Sequence, residues 1–242
     1  MINPLLCFFI ITHFLGDFYF HSDRLAQKAR DSYRHLLIHS VYYTLVFIIC
    51  LLPFCSIPVF LATSVLVVSH FVIDSCKFLL SKRVKNDSLL YSADQIAHFL
   101  SIITVMLILA NSGYTLKLLP ILQNLPTFFA INLETSIKWL ILILVVHKPV
   151  NATIKQLTAK YRPAIKAEES AISAGAFIGT LERLIILLLL SVNQYSAIGL
   201  VLTAKSVARF DKIAKEQQFA EYYLLGTLLS TLFAITIYLL LE

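Results

Sequence analysis

The stretch from residue 57 to residue 80, IPVFLATSVLVVSHFVIDSCKFLL, decides the fold. As an α-helix it is about 36 Å long, more than the roughly 30 Å of hydrocarbon in a bilayer. Only Asp74 and Lys77 are charged within it, and both lie towards its end. It therefore reads as a membrane span carrying a polar feature off-centre. Seven further apolar stretches suit the same reading, at residues 3–21, 35–54, 89–110, 132–149, 170–192, 195–210 and 220–241. The spacing thus predicts an all-α polytopic bundle of about eight transmembrane helices. The seventh is the shortest.

Composition supports this. The chain has 242 residues, 58% hydrophobic and 14% charged, whereas a soluble domain is about half apolar and about a quarter charged. The apolar runs lack the period-two alternation of barrel strands, which excludes a transmembrane β-barrel. Cys7, Cys50, Cys55 and Cys76 show neither CxxC spacing nor a secreted disulfide framework, and read as small apolar residues buried in the membrane. Met1-Ile2-Asn3-Pro4 lacks the basic region of a signal peptide, so the first apolar run is expected to stay as a helix.

The organisation expected is a four-helix His/Asp-rich core over residues 1–110, an interfacial or re-entrant segment over 111–131 that holds Pro120 and Pro126, and a four-helix C-terminal half over 132–242, joined into one integrated domain. Basic residues fall almost wholly in the segments joining helices 1–2, 3–4, 5–6 and 7–8, which hold 17 of the 20 Lys and Arg. By the positive-inside rule these face the cytoplasm, placing a multi-pass protein in a bacterial inner membrane with both termini outside. Such loops rest on membrane lipids and are not a nucleic-acid surface.

The ionisable residues within the first four spans come in pairs: His13 and Asp17 with His21 beyond, His35 and His39, His70 and Asp74, and Asp94 and His98. Each neighbouring pair is spaced i, i+4, which aligns two side chains on one helix face. With alternating helix directions all four sets fall at one depth in the cytoplasmic leaflet, and His147 joins that layer. Carboxylates and imidazoles gathered in hydrocarbon are costly unless partnered, and a cation among them offsets that cost. Mixed His and Asp donors suit Zn²⁺, Mn²⁺ or Fe²⁺, singly or as a pair. His13, Asp17, His70, Asp74, Asp94 and His98 are the candidate ligands, His39 the candidate general base, and His21 and His35 the outer residues that orient the ligands. A blander arrangement is also open, in which Asp74 pairs with Lys77 one turn later and the histidines form a hydrogen-bonded network.

Six phrases carry a family likeness: His13-Phe-Leu-Gly-Asp-Phe, His70-Phe-Val-Ile-Asp, Asp94-Gln-Ile-Ala-His, Gly179-Thr-Leu-Glu-Arg, Ala204-Lys-Ser-Val-Ala-Arg-Phe and Glu221-Tyr-Tyr-Leu-Leu-Gly-Thr-Leu-Leu-Ser. In this order they resemble the bacterial membrane family called domain of unknown function 3307, over residues 5–232. That resemblance implies a membrane fold and no reaction. The first hundred residues look, more distantly, like inner-membrane metal-dependent hydrolases, which implies hydrolysis by analogy alone.

In the second half, Ala171, Gly175 and Gly179 form a small-residue stripe suited to close helix approach. Glu182 and Arg183 follow, and Lys205 and Arg209 enter from the next helix. Glu182 and Lys205 are placed to form an intramembrane ion pair that fixes register, and Lys205 and Arg209 are alternatively a phosphate-binding pair. Phosphate loops, dinucleotide turns, nucleophile elbows and HExxH helices are absent from the sequence. Three functions stay open: a metal-dependent hydrolase of a lipid or phosphorylated substrate, a cation- or proton-coupled transporter or channel, and a non-enzymatic sensor with a structural metal.

Overall fold

The computed structural model describes residues 3–54, 56–114, 132–163 and 169–242. The expected re-entrant segment lies outside the described residues apart from 111–114, as does Cys55. The chain divides into two compact units, Met1–Ile141 and Leu142–Glu242.

The first unit opens with α1, Pro4–Phe14, whose N-cap Asn3 accepts a hydrogen bond from the Leu5 amide. A π-helical turn, Leu15–Tyr19, continues it. After Ser22, which caps the next helix by accepting from the Leu25 amide, comes α2, Asp23–Asp31. Then follow α3, Tyr33–Leu51, α4, Ile57–Ser81, and α5, Asp87–Asn111. The boundary between the units falls within α6, Leu133–Leu157. In the second unit α7 is Glu169–Ser191, α8 Tyr195–Val207, α9 Phe210–Lys215 and α10 Gln217–Leu241.

Among the described residues six helices are long and apolar enough to cross a membrane: α3 with its 3₁₀ extension to Phe54, α4, α5, α6, α7 over Ala174–Ser191, and α10. Pro4–Tyr19 and Tyr195–Val207 are shorter, about 24 and 20 Å against a core of about 30 Å. All eight expected apolar stretches are thus helical, but length alone carries only six across. The first helix also ends sooner than 3–21 predicts. Its π turn closes at Tyr19, and His21 lies beyond it.

The exterior is as apolar as the interior. Ile57, Leu61, Val65, Val68, Val72 and Leu79 of α4 are all exposed, the pattern of a helix that meets lipid on one side and protein on the other. In the first unit the core packs Leu5 and Phe9 of α1, Tyr43 and Phe47 of α3, Val59, Ala62 and Leu66 of α4, and Ile102, Val105 and Leu109 of α5. Each inward stripe turns ionisable at the same depth: Phe9 gives way to His13, Leu66 to His70 and Ile102 to His98, all buried. A sealed apolar plug therefore roofs the polar layer. Below it, α2 packs against α3 and α4, and Arg30 Nη1 lies 3.9 Å from Asp87 Oδ2. Both basic connections of this unit accordingly sit at one end, about 10 Å from the polar layer along α3 and α5.

In the second unit Ile186 and Leu190 of α7, Ile198 of α8 and Ala234 of α10 form the core. Of the expected small-residue stripe, Gly179 meets the neighbouring α6, where a Cβ built on it would lie 3.9 Å from Asn151 Oδ1. Nothing lies within 4 Å of a Cβ built on Gly175, and one built on Gly179 would meet Arg183 Nη1 at 3.3 Å. Gly179 makes room for a guanidinium. The Ala171 side chain lies outside the described residues.

Candidate metal centre

Local geometry delivers the cluster. On α4, one helical turn brings His70 Nδ1 to 3.4 Å from Asp74 Oδ2, and on α5 it brings His98 Nε2 to 3.5 Å from Asp94 Oδ1. On α1 the π turn shifts Asp17 out of simple α register, because a π turn adds one residue per hydrogen-bonded ring. The turn is accompanied by a close approach: a Cβ on Gly16 would stand 2.7 Å from Tyr43 Cδ2. Only glycine lets the helix end lie this tightly on α3.

Asp17 thereby reaches two other helices. Its Oδ1 is 3.3 Å from His39 Nε2 and 3.5 Å from His70 Nε2. Asp74 is the second hub, with Oδ2 at 3.5 Å from His39 Nε2 and Oδ1 at 3.4 Å from His98 Nε2. Two ligand sets emerge, Asp17 with His39 and His70, and His70 with Asp74 and His98; within each, the donor atoms lie within 4.8 Å of one another. His39, His70, Asp74, Asp94 and His98 are buried, and Asp17 is nearly so. Both ring nitrogens of His70, Nδ1 of His39, Nε2 of His98 and Oδ1 of Asp94 are buried without a hydrogen bond. Buried polar atoms left unpaired are rare in folded proteins and call for an explanation.

The other expected residues sit around this centre. His13 is fully buried and shares a 3.1 Å hydrogen bond with Tyr43 Oη through Nδ1, and it belongs to neither ligand set. Its ring lies 5.3 Å from that of His98. His21 donates from Nδ1 to the Gly16 carbonyl at 3.2 Å and packs its ring edge-on to His39 at 4.6 Å. His35, one turn before His39 on α3, is half-buried, with an unpaired Nδ1.

Lys77 does not take the alternative pairing with Asp74. Its Nζ instead crosses to α5 and lies 2.7 Å from Asp94 Oδ2, which frees both oxygens of Asp74 for histidines. Gln95 Nε2 donates to the same Asp94 oxygen at 3.2 Å and reaches Asp17 Oδ2 at 3.4 Å. Tyr43 stacks on His70 with ring centroids 3.6 Å apart, and His70 stacks on His98 at 4.3 Å. Sequence reasoning missed Tyr43 and Gln95 as members of the site. The signal was present for Tyr43, which continues the i, i+4 series from His35 through His39.

In the second unit Lys205 Nζ donates to Glu182 Oε2 at 2.5 Å. Lys205 and Arg209 both lie over the Tyr223 ring, at 5.4 and 5.9 Å. Arg183 does not join them. It is 1% exposed, and donates to Val146 O, Ser230 Oγ, Asn151 Oδ1 and Thr180 Oγ1.

A family model described as "Protein of unknown function (DUF3307)" matches residues 5–127. That span holds every residue of the cluster and stops short of the Gly179, Ala204 and Glu221 phrases. No curated protein and no solved structure matches the chain, so the likeness to metal-dependent hydrolases has no support from these comparisons.

Proposed function

The chain belongs to the DUF3307 family, whose description carries no reaction, and from the cluster itself we propose that it is a membrane metalloprotein holding one divalent ion for hydrolysis of an ester or phosphoester. Charge is the observation that carries the reading. Asp17, Asp74 and Asp94 bring three carboxylates into the cluster, and Lys77 alone is bonded to them as a cation among the described residues. With the histidines neutral, as ligation to a metal requires, two negative charges remain in a layer of low dielectric. A divalent ion balances them.

The separations agree. Donors on one tetrahedral ion with bonds of about 2.0–2.1 Å stand roughly 3.3–3.4 Å apart, whereas a charge-assisted N–H···O bond is about 2.7–2.9 Å. The separations of Asp17 Oδ1 from His39 Nε2 and His70 Nε2, 3.3 and 3.5 Å, follow the first pattern. Lys77 on Asp94, at 2.7 Å, follows the second.

His70 argues for a single ion. A neutral imidazole has one lone-pair nitrogen and one N–H, so His70 ligates in one set while its other nitrogen donates to the carboxylate of the other set. Asp17, His39 and His70 form the preferred centre, and Asp74, backed by His98 and Asp94, accepts from His70 Nδ1 and orients that ring. His39 is thus proposed as a ligand, and His13, tied to Tyr43, as a buttress. A bound divalent ion supplies acidified water and polarises the scissile group.

Metal content measured by mass spectrometry on purified protein, after reconstitution with Zn²⁺, Mn²⁺ or Fe²⁺, tests the reading. Wild type is expected to hold near one equivalent, Asp17→Asn and Asp74→Ala far less, and His13→Gln close to wild type. Equal, negligible metal in wild type and Asp74→Ala defeats the metal centre. A loaded protein that moves cations across vesicles and hydrolyses no ester or phosphoester overturns the hydrolase assignment alone.

A further inference from the structure

Beside the cluster lies an open surface pocket of about 430 Å³ lined by Tyr19, Phe20, His21, Ser22, Leu25 and Tyr42. Its volume falls in the range of small-ligand sites. Its walls face two environments. His21 forms one side and is in edge contact with His39, so a single imidazole separates the cavity from the candidate ion. Tyr42 forms the other and belongs to the exposed apolar side of α3, where Ile38, Val41, Leu45, Ile48 and Ile49 are also exposed. The cavity therefore opens onto the surface that meets acyl chains.

Position and charge narrow the occupant. The cavity lies where the chain leaves the apolar layer, between the π turn and α2. Lys28, outside the lining itself, is exposed and one turn from Leu25 on the same face of α2. Polar groups from His21 and Ser22 and the tyrosines share the lining with Phe20 and Leu25. A fully polar solute would leave the aromatic walls unused, and an alkane would strand the polar ones.

We propose that this cavity binds the phosphate headgroup of an anionic membrane lipid, with the lipid's acyl chain along the exposed side of α3. His21 is the positioning residue between headgroup and centre. Its Nδ1 must carry the proton, since its partner is the Gly16 carbonyl, and that bond fixes the ring. The assignment of this lipid as substrate rests on the metal-centre reading; its binding does not.

The test uses tryptophan fluorescence of the full chain in phosphatidylcholine vesicles. Trp139→Phe removes the native fluorophore, and Tyr42→Trp or Ile49→Trp places a new one at the cavity or farther along α3. Brominated phosphatidic acid is expected to quench Tyr42→Trp with an apparent affinity about threefold above that of brominated phosphatidylcholine. Ile49→Trp should show no preference. The preference should survive high salt, which screens general surface attraction, and fall when His21→Phe is added. Millimolar inorganic phosphate should leave it unchanged. Equal quenching by both lipids at Tyr42→Trp, loss of the preference in high salt, or its abolition by free phosphate overturns the proposal. Metal content read on the same samples judges the metal centre separately.

Discussion

Lys77 Nζ lies 2.7 Å from Asp94 Oδ2 and ties α4 to α5 at the margin of the cluster. Asp94 is buried, with 2% of its side chain exposed, while Lys77 keeps 27%. Removing the lysine leaves a carboxylate in low dielectric without its counter-charge, which typically costs about 3–5 kcal/mol in a buried pair. Lys77→Met should therefore lower Tm more than Lys77→Met combined with Asp94→Asn, which removes both charges. A double-mutant cycle read by thermal unfolding should give a coupling above about 1 kcal/mol. Additive effects would show that the pair is only a surface contact.

Gly16 gives the second prediction. Its Cα approaches Tyr43 so closely that an added methyl would overlap Cδ2 at 2.7 Å. Overpacking of this kind costs about 1–3 kcal/mol, and the forced shift falls on Asp17, the next residue. Gly16→Ala should lower both Tm and metal content. Gly226→Ala, with nothing within 4 Å of the new Cβ, should lower neither. Wild-type metal content in Gly16→Ala would show that Asp17 does not need the close helix approach.

These two sites separate what the sequence made legible from what it hid. The pairs His70 with Asp74 and Asp94 with His98 are visible because helical periodicity is local, and the apolar lengths of α3 to α7 and α10 are visible for the same reason. The π turn is not, since it accompanies a contact between residues far apart in sequence, Gly16 and Tyr43. Lys77 illustrates the same limit. Sequence proximity favours Asp74, and packing of α4 on α5 delivers Asp94. α2 shows in the sequence only as positive charge, because its few apolar residues give no membrane signal, yet it packs against α3 and α4 at one end of the first unit. The neutral partners of Arg183 are equally hidden, as one is a backbone carbonyl and the hydroxyls and amide of Ser230, Thr180 and Asn151 form no recognisable sequence pattern.

Arg183 is the third case. Its guanidinium is satisfied by uncharged acceptors on three segments: Val146 O and Asn151 Oδ1 on α6, Thr180 Oγ1 on α7 and Ser230 Oγ on α10. Pro149 interrupts the α6 ladder near this level, and buried side chains commonly supply the bonds that such a proline disturbs. A lysine presents its donors from one point and cannot span acceptors on opposite sides. Arg183→Lys should therefore destabilise by about 2–3 kcal/mol, and Ser230→Ala by about 1 kcal/mol, from the bonds lost. Thermal unfolding in detergent checks both. A wild-type Tm for Arg183→Lys would remove the clamp from the account.

The short helix α8 sets charge against length. Its residues Tyr195–Val207 span about 20 Å, and on the orientation expected from the basic segments, a helix that does not cross leaves Lys212 and Lys215 on the external face. The positive-inside rule demands the opposite. The Glu182–Lys205 ion pair, only 12 and 18% exposed, makes crossing easier by neutralising the charge that α8 would carry into the bilayer. Local thinning then accommodates the missing length at a fraction of a kcal/mol per Å. With the native cysteines replaced by serine, Lys85→Cys and Lys212→Cys should react with a membrane-impermeant maleimide only from the cytoplasmic side. Asn193→Cys should react only from outside. Adding Glu182→Gln should leave Lys205 unpaired and shift part of the Lys212→Cys population to external labelling. Labelling of Lys212→Cys from outside in the parent chain would mean that α8 does not cross and that the basic segment 208–216 is not held by the charge rule.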